Sequence, residues 1–160
     1  LEFRRVLFRS SLNQPIGIRQ NNPGNIRVGE SWLGSLPPRK GDAFCRFEAP
    51  VWGLRAMACL LRNYYRRHGL RTIRQVVARW APSNENNVEA YVRSVAEHSG
   101  LPADTAMDFS SADVLRRIIP AMVRHENGRN PYTPELIDQA IVLSVNPVPA
   151  HRVQHLGSTS

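Results

Sequence analysis

A mainly α fold is what the sequence predicts: one helical domain of about five helices, preceded by a loop-rich segment. Apolar stripes recur at three- and four-residue spacing, and they are bounded by residues that start or stop helices. Strict two-residue alternation is absent, which argues against a large sheet. At 160 residues the chain suits a single domain able to bury a core without disulfide or metal staples.

Taken in order, the opening LEFRRVLFRS has no initiating Met and reads as a cloning- or adapter-like extension, expected to be disordered over residues 1–14. Its apolar run Val6-Leu7-Phe8 is too short for a signal-peptide core and meets Arg9 at once. The helical domain is expected over 15–144. Its first part, residues 15–47, is punctuated throughout by Asn, Pro and Gly and reads as ordered loops, with a short hairpin around Phe44 and Phe47.

Pro50 then suits the first position of a helix, whose stripe is Leu54, Met57, Ala58, Leu61, Tyr64 and Tyr65 and whose end is Gly69. Thr72 with Gln75 forms a capping box ahead of Ile73, Val76, Val77 and Trp80, and Pro82 stops that helix. Asn86 with Glu89 marks another start, followed by Tyr91, Val92, Val95 and Ala96 up to Gly100. Ser110 or Ser111 caps the stripe Val114, Leu115, Ile118, Ile119 and Met122, which closes at Gly128. Pro120 inside it is expected to kink the helix or split it in two. Thr133-Pro134-Glu135 opens the last helix, carrying Leu136, Ile137, Ala140 and Ile141. The Pro- and Ser-containing remainder, 145–160, reads as a disordered tail.

The net charge is +8 and is almost wholly arginine, with Lys40 the only lysine; leaving out the first ten residues lowers it to +6. Such a surface attracts polyanions: nucleic acid, acidic lipid or a carboxylate- and phosphate-bearing cell wall. The basic residues are scattered rather than gathered on one helix, which disfavours nucleic acid. No apolar run reaches the length of a membrane span. Cys45 and Cys59 sit in apolar surroundings and read as two buried thiols, with one bridge the minority alternative. The five histidines show no metal-ligand spacing, and no Gly-rich phosphate loop or Ser/His/Asp order is visible, so no metal or cofactor is expected.

Residues 17–27, GIRQNNPGNIR, resemble the opening signature of phage lysozyme-like virion proteins. The resemblance continues in order through Trp32 and Gly34, Phe44 and Phe47, GLRAMACLLRNYYRRHG, TIRQVVARWAP, ENNVEAYVRSV and VRHENGRNPY. It covers residues 16 to about 142. The chain departs from the family pattern at Gln20, at Asn87-Val88 and at Pro120. What the resemblance implies is a lysozyme-like fold in a phage or prophage protein, found in the virion or in the bacterial cytoplasm before release. Its implied partners are peptidoglycan glycan strands and other virion proteins, and its implied action on the cell wall is that of a muramidase or lytic transglycosylase. A virion structural or wall-binding module that keeps the fold without turnover is the alternative.

Cleaving a glycosidic bond needs a carboxylic acid still protonated near neutral pH, which burial or nearby negative charge provides. Glu126 is the candidate: it ends the apolar helix 113–126 and precedes Asn127-Gly128. A helix C-terminus carries partial negative charge and disfavours a carboxylate there. The bland reading pairs Glu126 with Arg124 or Arg129. For substrate binding the candidates are Asn21, Asn22 and Asn25, whose amides suit sugar hydroxyls and N-acetyl groups; the same asparagines equally suit a self-bonded turn. Trp32 is a stacking platform or a lid over the core, Tyr132 a cleft aromatic or a core tyrosine, and Glu85 a substrate or turn residue. Asn127 completes the set. His125 either tunes the acid or faces solvent.

Overall fold

A computed structural model describes residues 13–81 and 85–145. The expected extension and tail, and the helix stop at Pro82, lie outside the described residues apart from the short margins at 13–14 and 145. Six helices are present among those described: α1 Ile16–Arg19, α2 Pro50–His68, α3 Ile73–Trp80, α4 Glu85–Ser99, α5 Ala112–Asn127 and α6 Pro134–Val145. The fold is mainly α. Val145 closes α6 and is not part of a tail.

Helix α2 is the axis of the core. Pro50 occupies its first turn, and Leu54, Ala56, Met57, Ala58 and Leu61 are buried along it. Gly69 ends it in a left-handed conformation, with the amides of Gly69 and Leu70 reaching back to the Tyr65 and Tyr64 carbonyls. Helix α6 packs along α2, α4 packs between α3 and α5, and α5 touches α6. The buried faces meet in one cluster that includes Ile73, Val76, Val92, Val95, Leu115, Ile118, Ile119, Met122, Ile137 and Ile141. Phe109, from the connection before α5, is fully buried among them.

The expected capping box at α3 forms: Gln75 N–H donates to Thr72 Oγ1 at 3.1 Å, and Gln75 Oε1 accepts from the Thr72 amide. Thr133 Oγ1 accepts from the Leu136 amide at the start of α6. Ser111 stands at the cap of α5 but makes no side-chain cap bond, and Ser110 turns instead to Asp108. Pro120 does not split α5, which runs unbroken from Ala112 to Asn127. The proline removes one ladder bond in a helix whose buried face supplies the compensation.

The segment before α2 contains two features absent from the expectation. Its first turn, Ile16–Arg19, is helical. In place of a hairpin it has isolated antiparallel bridges, Arg27 with Phe44 and Ser35 with Phe47. Cys45 and Cys59 are both free, and burial raises both thiols above their ordinary range. Two arginines of α2 reach the far end of α6: Arg55 Nε donates to the Leu143 carbonyl at 3.2 Å, and Arg62 Nε donates to Ser144 Oγ at 3.1 Å. Cations there oppose the negative end of that helix. No described helix is long and apolar enough to cross a membrane.

Candidate active site

The asparagine-rich turn after α1 is fastened on three sides. Asn21 and Asn25 adopt left-handed backbone conformations, φ 55° and 49°, which asparagine tolerates better than most residues. Asn22 is wholly buried, and its amide is fully used. Its Nδ2 donates to the carbonyls of Ile26 and Cys45, each at 2.9 Å, while its Oδ1 accepts from the Ile26 amide at 3.0 Å. Asn21 Nδ2 donates to the Phe47 carbonyl at 3.1 Å. Both side chains therefore hold the turn to the bridge-forming segment, Asn22 with its whole amide and Asn21 through Nδ2.

Asn127 plays the matching part from the other side. Its Nδ2 donates to the Pro23 carbonyl at 2.8 Å and to the Val123 carbonyl at 3.0 Å, so the end of α5 is tied to the turn. It is buried and faces the interior. Helix α2 closes the third side at Gly53, where a Cβ would stand 2.0 Å from the Asn21 carbonyl oxygen. At Gly24 a Cβ would meet Met57 and the Trp80 ring at 2.8 Å, and the Trp80 indole N–H donates to the Gly24 carbonyl. Glycine permits both approaches.

This fastening brings Asn25 and Glu126 together across 101 residues of sequence: Asn25 Nδ2 donates to Glu126 Oε2 at 2.8 Å. Both line a cleft of about 290 Å³ whose other walls are Gly24, Arg27, Phe44, Trp80 and Ala81. Glu126 is the one acid of that wall among the described residues. The carboxyl is half-buried, and burial holds it above the usual glutamate range, opposed by hydrogen bonding to Asn25 and Tyr91. Tyr91, itself 3% exposed, brings its hydroxyl to the same carboxylate without completing a well-formed hydrogen bond. Burial first, and then the Glu126 charge, hold that phenol well above its ordinary range. His125 stacks on the Tyr91 ring with centroids 3.9 Å apart, and burial followed by the charge of His98 lowers its pKa. No bond pairs Glu126 with Arg124 or Arg129.

The remaining candidates lie elsewhere. Trp32 is partly buried and packs on the core, with its backbone turned by Ser35. Tyr132 lines a separate pocket of about 230 Å³ with Arg116, Pro120, Asn130, Pro134, Ile137 and Asp138, and burial pushes its hydroxyl up to about 12. Glu85 opens α4, but its side chain is outside the described residues. Sequence reasoning passed over Arg27, Phe44, Trp80 and Tyr91. Trp80 and Tyr91 stand in ordinary apolar stripes. The one signal at Trp80 was its place at a helix end, two residues before Pro82. Among the described residues no group of three or more His, Cys, Asp or Glu side chains is placed to hold a metal ion.

The chain is similar to a phage protein, "Protein P5" of Pseudoalteromonas phage PM2. The two are 37% identical over 133 residues, which span 80% of this chain and 81% of the relative. No protein-family profile matches the chain.

Proposed function

The chain belongs to the family of protein P5 of Pseudoalteromonas phage PM2, and on that premise we propose that it is a lysozyme-like phage enzyme that cleaves peptidoglycan glycan strands with Glu126 as general acid. The observation that carries this reading is the placement of a half-buried, acid-shifted glutamate beside Asn25 in a cleft walled by Trp80 and Phe44. The cleft meets the demands of the chemistry: an acid with a raised pKa, an amide that orients it, and aromatic surface for a pyranose face.

Two outcomes are open to such an acid. Hydrolysis by inverting or retaining enzymes calls for a second carboxylate, at about 5–9.5 Å from the first. Glu126 has no acidic companion in the described wall of this cleft. A lytic transglycosylase, which needs a single glutamate, is the reading this wall supports, with the Glu85 side chain outside the described residues. With Oε2 engaged by Asn25 Nδ2, the acid proton sits on Oε1 and passes to the glycosidic oxygen as the C1–O bond breaks and its electron pair leaves with that oxygen. The C6 hydroxyl of the same muramic sugar then attacks C1. Glu126, now a carboxylate, takes that hydroxyl's proton, so the acid is regenerated and the product ends in a 1,6-anhydro ring.

The protein would act at the cell wall, from the virion or on release from the host cell, alongside other virion proteins. Purified peptidoglycan incubated with the chain and with its Glu126→Gln variant tests the reading. Muropeptides with anhydro ends from the first and none from the second are expected. Wall binding without release by either would make the chain a binding or structural virion module, and equal release by both would move the chemistry away from Glu126.

A further inference from the structure

Nine of the arginines fall into three physical groups. Arg39, Arg46, Arg74 and Arg116 are neutralised by carboxylates, Arg74 by both Glu89 and Asp104. Arg55 and Arg62 oppose the end of α6. A third group is held on aromatic rings: Arg27 lies 5.2 Å from the Phe44 centroid, Arg79 5.3 Å from Tyr64 and Arg71 5.0 Å from Tyr65. A ring face positions a guanidinium without cancelling its charge. No ion pair to an acid occurs for these three among the described residues.

One of them lines the Glu126 cleft, and a second is joined to its wall through two aromatic rings. Arg27 and Phe44 are both part of its wall. Arg79, next in sequence to the wall residue Trp80, covers Tyr64, and Tyr64 meets the Trp80 ring edge-on at 6.1 Å. Arg79 Nη2 also approaches His68 Nε2 at 3.2 Å, a second contact that fixes the guanidinium. Both arginines are exposed. The cleft therefore has one fixed cation without an acid partner in its wall and a second on the rings behind Trp80, whereas its centre holds a group that works as a neutral acid.

We infer that Arg27 and Arg79 are specificity-determining residues that bind carboxylates on either side of the scissile bond, so that the cleft selects an acid-bearing polysaccharide over a neutral one of the same backbone. This rests on the glycan-cleaving reading above and adds which strands are taken and what takes them. A compact anionic substituent every second sugar fits two separated cations. A continuous phosphate backbone would call for a longer basic track.

Binding is measured with the Glu126→Gln chain, so that nothing turns over. Intrinsic tryptophan fluorescence is followed while soluble muropeptide strands, the same strands with carboxylates amidated, neutral chitin oligomers and a single-stranded oligonucleotide are added. The acid-bearing strands are expected to bind several-fold tighter than the other three at low salt, with the advantage shrinking at high salt. Arg27→Gln and Arg79→Gln should each weaken acid-bearing strands about two- to fivefold, the range of an exposed charge contact, and leave neutral oligomers unchanged. Arg116→Gln, which removes the same charge beside the Tyr132 pocket, should have no effect.

Equal affinity for acid-bearing and neutral strands overturns the inference. So do an equal loss with Arg116→Gln, tighter binding of the oligonucleotide, and no binding of any glycan. Carboxylate selection in a chain whose wild type releases no muropeptides would uphold the inference and retire the cleavage reading alone.

Discussion

Gly53→Ala should destabilise this protein, although the substitution sits inside a helix, where alanine is ordinarily the better residue. Freed of tertiary contacts, the change would gain about 1 kcal/mol. Here the added methyl would stand 2.0 Å from the Asn21 carbonyl oxygen, so reaching the 3.4 Å of ordinary contact requires a shift of about 1.4 Å between α2 and the turn. The turn cannot follow freely, since Asn21, Asn22 and Pro23 are bonded to Phe47, Cys45 and Asn127 at 2.8–3.1 Å. Overpacking at such a site costs about 1–3 kcal/mol. Two stretched bonds add about 1 kcal/mol each. Net of the helix gain, a loss of about 2–4 kcal/mol is expected, or about 5–15 °C in melting temperature for a domain of this size. Circular-dichroism melts and urea titrations read it directly, with Ala78→Gly, exposed on α3, as the control for propensity alone. A melting temperature for Gly53→Ala at or above the parent's would refute the claim that the turn is clamped against α2.

Asn22→Ala should cost about 2–4 kcal/mol in a urea titration, because it leaves the Ile26 amide and the Cys45 carbonyl without partners and takes one of two donors from the Ile26 carbonyl; a loss below 1 kcal/mol would mean that water replaces the side chain. Glu126→Gln should stabilise the fold at neutral pH. The folded pKa of Glu126 lies above its unfolded value, so the contribution of this group is fully present below the unfolded value and declines as pH rises through the folded one. The melting-temperature advantage of the variant should therefore grow from acid to neutral pH, and a constant difference would contradict the burial of the carboxyl. Pro120→Ala restores a ladder donor within an unbroken helix and should raise stability by up to about 3 kcal/mol; a fall would indicate that the ring fills the Tyr132 pocket. Asn25→Ala, with the fold intact by circular dichroism, should free Glu126 Oε2 and shift the alkaline limb of the pH–rate profile upward, since the bond from Asn25 favours the charged carboxylate and its loss keeps the general acid protonated to higher pH.

The five longer helices were legible because each carries its own stripe and its own boundary: Pro50 with Gly69, Thr72 with Gln75, Thr133 with Pro134. Such signals act within a few residues. The four-residue α1 is too short to show a period, and Phe109 gives no sign in sequence that a connection will enter the core. Pro120 misleads for the opposite reason, since its local penalty is outweighed by the burial of Ile118, Ile119 and Met122 around it. At the site, the helix-end position singled out Glu126. What the asparagines do was not readable, because an amide that bonds a sugar and one that bonds a carbonyl are the same amide. Only tertiary structure separates Asn22, spent inside the turn, from Asn25, turned toward the acid.

The bond between Asn25 and Glu126 joins residues 101 positions apart, and Asn127 fastens the same two regions across 104. An arrangement so non-local cannot exist in a partly synthesised chain. While the N-terminal turn is already outside the ribosome, α5 has still to be made, so the cleft has one wall and no acid. Loop closure over that span comes late in folding, after the local helices have formed. The geometry around Glu126 is therefore a property of the finished molecule alone, and a truncated or stalled product would carry helices, a partial core and no assembled centre.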